Sequence, residues 1–135
     1  MKRRIAAALL VTLLPLGMAA CGSQSKADAC KEVQGAATKV VEDFAASSAA
    51  LTDPQALKDQ MAKTADTFKE AAKKVSNKEV KDALDPYVES LDKLKDMDPA
   101  GALSGDTEYT TAVSDASTKA NALASLCGIS GGLNN

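Results

Sequence analysis

The chain has 135 residues, 18 of them acidic and 16 basic, with 45% hydrophobic and 3% aromatic residues and neither histidine nor tryptophan. Without histidine, Ser-His and Cys-His nucleophile pairs, the Glu-x-x-His motif of di-iron bundles and histidine-ligated haem are excluded. The acid excess argues against nucleic acid, whose phosphates need a basic surface, and the abundance of alanine favours helix.

Lys2, Arg3 and Arg4 precede a run from Ile5 to Leu14 that is apolar apart from Thr12. Pro15 and Gly17 then break any helix, and the small residues Ala19 and Ala20 stand directly before Cys21. Positive, apolar, then small is the layout of a secretory signal. The apolar run is about ten residues, short of the ~20 that cross a bilayer. Met18-Ala19-Ala20-Cys21 resembles the lipobox of bacterial lipoproteins, with Met18 where that family usually has leucine. The resemblance implies that residues 1–20 are removed and that Cys21 carries a thioether-linked diacylglycerol, often with a third acyl chain on the new amino terminus. Two or three acyl chains anchor a protein stably where one does not. The expected location is therefore the extracytoplasmic face of the cell membrane, held by lipid. The alternative is an ordinary signal peptide in which Cys21 is incidental.

Residues 21–29 read as the lipidated cysteine and a polar, Ser- and Gly-containing tether reaching less than about 30 Å. Loss of Lys2, Arg3 and Arg4 leaves thirteen basic residues against 18 acidic ones, a net charge of −5. Cys30 and Cys127 are the remaining cysteines. In an exported protein disulfides persist, and two thiols allow a single intramolecular pairing. Two free thiols, or a metal site completed by carboxylates, are the other readings of that pair.

A first helix is expected over 28–51, where Cys30, Val33, Ala37, Val40, Phe44, Ser47 and Leu51 alternate spacings of three and four. Asp53 and Pro54 restart the chain as N-cap and first helical residue. Leu57, Met61, Thr64, Phe68, Ala71 and Val75 carry the same stripe, with Asp59–Lys63 and Glu70–Lys74 as i,i+4 pairs outside it. Ser76-Asn77-Lys78-Glu79 has the form of a capping box for a third helix running to about Met97. Its stripe is Val80, Leu84, Tyr87 with Val88, Leu91 and Leu94. The apolar phase passes Pro86 unbroken, which predicts a kinked helix, although Asp85-Pro86 would also suit a new start. Asp98 to Gly101 ends it, and Ala102 to Gly105 reads as loop. Asp106 caps a fourth helix with Tyr109, Val113, Ala116, Ala120, Leu123 and Cys127 on its seam, and Gly128 supplies the C′ residue.

Four amphipathic helices on short loops predict an all-α, up-down-up-down four-helix bundle over residues 30–128, with a frayed tail at 129–135. A three-helix bundle with a broken third element is the rival. In the four-helix topology Cys30 opens the first helix and Cys127 closes the fourth, so both lie at one pole, where a disulfide can form.

On the third helix Asp82, Asp85, Glu89, Asp92 and Asp96 form an acidic ridge. It reads first as a solvated face neutralised by neighbouring lysines, including a Glu89–Lys93 pair, and second as a dock for a cation or a basic segment. Small seam residues (Ala37, Ala71, Ala116, Ala120, with Ser47 and Thr64) read either as close helix packing or as a narrow apolar cavity for a lipid tail or other small hydrophobe. No catalytic residue, cofactor or metal ligand set is expected. The body is similar in style to uncharacterised small, Ala-rich exported lipoproteins of high-GC Gram-positive bacteria, a likeness that carries over no functional residue beyond Cys21. The expected function is a non-enzymatic helical module binding a protein or cell-envelope component. The alternative is a carrier of a small hydrophobic ligand inside the bundle.

Overall fold

The computed structural model describes residues 24–47 and 53–129; the lipobox and Cys21 lie outside them. Five helices follow in order: α1 Lys26–Ala46, α2 Pro54–Lys74, α3 Lys78–Asp96, the short α4 Ala100–Ser104 and α5 Thr107–Leu126. The four long ones make an all-α, up-down-up-down arrangement in which α1, α2, α3 and α5 pack in sequence.

The first helix begins earlier than its periodicity predicts. The Ser25 hydroxyl accepts the Asp28 N–H, and Asp28 adds an acidic side chain to the first turn, where the helix dipole favours it. The last four residues assigned to the tether are thus the first turn of α1. Gln24 is docked on the α2–α3 connection: its side-chain oxygen accepts the Ser76 N–H at 3.1 Å and its backbone oxygen accepts from Asn77 Nδ2 at 3.1 Å. At its far end α1 stops at Ala46, short of the predicted 51.

Asp53 caps α2 through the Gln55 N–H, with Pro54 at the first helical position as expected. For α3 the cap is Asn77, not Ser76: its side chain accepts the Val80 N–H at 3.1 Å. Glu79 does not close a capping box but pairs with Lys26 across the helices at 2.9 Å. The third helix runs through Pro86 as one element, which rules against the three-helix alternative. Residues 100–104, expected partly as loop, form α4, ended by Gly105 in the left-handed region. Asp106 caps α5, accepting from both Glu108 and Tyr109 N–H groups.

The main core sits at one pole and gathers all four long helices. Val33 of α1, Phe68 and Ala71 of α2, Val80, Leu84 and Tyr87 of α3 and Leu123 of α5 are buried there. Phe68 and Tyr87 meet edge to face, with centroids 5.0 Å apart, a geometry that adds to simple area burial. Cys30 and Cys127 are bonded at this pole with Cα atoms 5.2 Å apart. Towards the other pole the core shrinks to Leu94, Ala112 and Ala116 with Met97, which joins α3 and α5 alone. The predicted seam of α5 is corrected here: Ala112 is buried, whereas Val113 is 37% exposed. Of the tail expected to fray, Ile129 alone is described, and residues 130–135 lie outside the described residues. Gly128, at φ 62°, closes α5 in a Schellman turn in which Ile129 N–H bonds Ala124 O and Gly128 N–H bonds Ser125 O. Ile129 is thereby packed against the core rather than frayed.

Candidate functional site: an apolar groove between the first and last helices

In a closed four-helix bundle the first and last helices would pack along their length. Here α1 packs on α2 and only lightly on α3, and it makes little direct contact with α5. The disulfide ties the two at one pole, and beyond it they part around a groove of about 280 Å³. One wall is Val33, Ala37 and Val41 of α1, the other Ala120, Leu123 and Ala124 of α5, and Phe68 and Tyr87 form the floor. Ile129 sits against the pole end, placed there by the Schellman turn, while Thr38 and Glu42 supply the polar rim.

Small residues make the opening. Ala37 of α1 and Ala120 and Ala124 of α5 all line it, with side chains too short to fill it. The predicted apolar stripe of α1 holds as far as Val40 and then fails: Phe44 is 43% exposed, and Val41, off the predicted seam, is 58% exposed. Of the small seam residues, Ala37 and Ala120 line the groove, Ala71 borders a separate hollow of about 350 Å³ between α1 and α2, and Ala116 is buried against α3. Val41 and Ala124 were not on either predicted seam. The signal that could have found them is the apolar neighbour one residue past a seam position, which widens a helix stripe on one side. Burial pushes the Tyr87 phenol up to about 12.

A second, smaller hollow of about 170 Å³ lies under the far half of α1, lined by Phe44, Leu57, Met61, Leu91 and Leu94 with Gln60 and Thr64. Gln60 is buried, and its amide nitrogen has no hydrogen-bond partner among the described residues. Nothing in the periodicity of α2 marks Gln60, because glutamine is an ordinary surface residue of helices.

The acidic ridge of α3 is largely tied to lysines. Asp82 pairs with Lys78, Asp85 with Lys81 at 3.2 Å, and Asp92 with both Lys69 of α2 and Lys95 at 2.6 and 2.8 Å. Hydrogen bonds from Lys69 and then Lys95 hold the Asp92 carboxyl below its usual range, and Asp92 in turn raises Lys95. Glu89 remains exposed without the expected Lys93 partner, and the predicted Glu70–Lys74 pair is replaced by Glu70–Lys73, with Lys74 reaching Glu32 of α1 at 3.8 Å. Asp59 accepts from Gln55 rather than pairing with Lys63. Among the described residues no group of three His, Cys, Asp or Glu side chains converges as a metal site would require. No described helix is long and apolar enough to cross a membrane.

Fold and groove together define a disulfide-closed, four-helix all-α domain with an apolar groove between α1 and α5. The chain belongs to the family described as a domain of unknown function, DUF8711, whose model matches residues 24–128. That match begins at the docked Gln24 and ends at the helix-closing Gly128. No curated protein and no solved structure matches the chain.

Proposed function

We propose that this protein is a non-enzymatic module, anchored by lipid on Cys21 to the extracytoplasmic face of the cell membrane, that binds a protein or cell-envelope component through the α1–α5 groove. The groove itself carries the reading. Its walls and floor are almost entirely apolar, it lies between two helices that the sequence leaves unpacked, and Val41 stands exposed at its edge. Covering such surface is favourable by roughly 25 cal/mol per Å² of apolar area removed from water.

The anchoring half of the proposal rests on the resemblance of Met18 to Cys21 to a lipobox. It is supported by the position of Gln24, three residues on, beside the α2–α3 connection at the disulfide pole. Three residues span at most about 11 Å, so acyl chains on Cys21 would hold that pole against the bilayer. The non-enzymatic half rests on the lack of histidine and on the ion pairing of the α3 carboxylates. A carrier of a small hydrophobic ligand is the second reading, favoured by the groove's apolar lining, with the buried Phe68 and Tyr87 at its back.

Site-specific photocrosslinking in cells tests the groove as the binding face. A benzophenone side chain at Val41 is expected to capture a discrete adduct that the same side chain at the exposed Glu89 of α3 does not. Equal capture at both positions, or none at Val41, would contradict the proposal.

A further inference from the structure

The dimensions of the groove narrow its occupant, given the proposed binding role on which this step rests. Val33 and Val41 mark its length on α1, eight residues apart, which is about 12 Å at 1.5 Å per residue. Its volume of about 280 Å³ lies at the small end of ligand clefts. A helix about 10–12 Å across with its side chains fills on the order of 1,000 Å³ over that length, so it would lie on the opening rather than within it. A single hydrocarbon chain, whose carbons pack against neighbours at about 3.5–4.0 Å, fits inside.

We infer that the groove takes one acyl chain of a membrane lipid whose headgroup is neutral or zwitterionic. Three observations lead there. The lining from Val33 and Leu123 past Phe68 and Tyr87 to Val41 offers a continuous apolar groove. Among the described lining residues there is a carboxylate, Glu42, and no lysine or arginine, in a domain of net negative charge, so an anionic headgroup meets like charge. The length of chain before the folded unit supplies the third: Cys21 lies three residues from Gln24, which keeps the α2–α3 connection at the disulfide pole within about 11 Å of the proposed lipid anchor. Envelope lipid is then the nearest source of acyl chains.

The test uses the full chain in its own membrane. Cells are fed a fatty acid bearing a mid-chain diazirine and a terminal alkyne, irradiated, and the protein is captured and mapped by mass spectrometry. The expected result is adducts on the groove peptides that contain Val41 and Ala124, each with the mass of a whole neutral or zwitterionic lipid. Ala124→Phe should cut that labelling at least fivefold, and Ala37→Phe, which fills the slot from the opposite wall, should do the same; an intact Cys30–Cys127 bond and an unchanged helical spectrum identify a folded variant. Adducts absent from the groove, unchanged in both variants, of acidic headgroup, or joined solely to the N-terminal Cys21 peptide would overturn the inference. The mass of that N-terminal peptide reports acylation separately, so failure of the anchor and failure of the lipid site give different spectra.

Discussion

Cys30 and Cys127 join the first turns of α1 to the end of α5 with Cα atoms 5.2 Å apart, across a sequence separation of 97. This bond is the closure between two helices that otherwise share little contact, so it holds the groove's pole end together while the rest of the seam stays open.

A bond closing so long a loop restricts the unfolded chain by about 4–5 kcal/mol in the chain-entropy account. Cys30→Ser with Cys127→Ser is therefore expected to lower stability by up to that amount. Denaturant unfolding of the oxidised protein and the double variant measures it; equal midpoints would contradict the assignment.

The anchor makes a separate prediction. Cys21→Ser should move the protein from the membrane fraction to the soluble one, because lipid on that residue is its proposed hold on the bilayer. Fractionation followed by immunodetection reads the outcome. Continued membrane association would rule the anchor out.

Much of the fold could be read from residue spacing, because each stripe of α2 and α3 meets a neighbouring helix on the face it predicts. Phe68, Ala71, Val80, Leu84, Tyr87 and Leu94 are buried as their three- and four-residue intervals require. The pole shared by Cys30 and Cys127 followed from helix order alone. Other features were hidden for physical reasons. Periodicity names a helix face but not whether a partner covers it, so Phe44 continued the α1 stripe and yet is exposed. Asn77 and Ser76 are both good caps, but the Ser76 hydroxyl accepts the Gln24 N–H, and Asn77 accepts the Val80 N–H as the cap. Helix α4 spans five residues and contains Gly101, too short and too weak a helix former to register as one. Small seam residues were one sign of a groove, but Ala37 and Ala120 border it while Ala71 faces a different hollow and Ala116 is packed against α3, a difference set by how the helices diverge.

Gln60 offers a stabilising change. Its amide nitrogen is buried without a partner among the described residues, and an unsatisfied buried donor costs about 1–3 kcal/mol. Gln60→Leu, among Leu57, Met61 and Leu91, is expected to raise stability by about 1 kcal/mol in equilibrium unfolding. A loss of stability would show that the amide has a partner in solution.

Tyr87 makes stability fall at alkaline pH. Burial raises its phenol from 10 to about 12, so the folded state favours the neutral form. Its contribution is fully present below pH 10 and is lost as pH rises towards 12, by roughly 2–3 kcal/mol in all. Tyr87→Phe should flatten that decline, leaving the smaller part due to Tyr109, which burial also raises. Unfolding midpoints between pH 9 and pH 12, alongside absorbance titration of the phenols, check it; an identical decline in the variant would contradict it.

The most direct test of the groove as a binding site is native mass spectrometry of the mature protein extracted from its own host's envelope. Wild-type protein is predicted to carry a non-covalent excess mass that is lost on denaturation, and Ala124→Phe to fly without it. A bare wild-type mass, or the same excess in the groove-filled variant, would contradict the account.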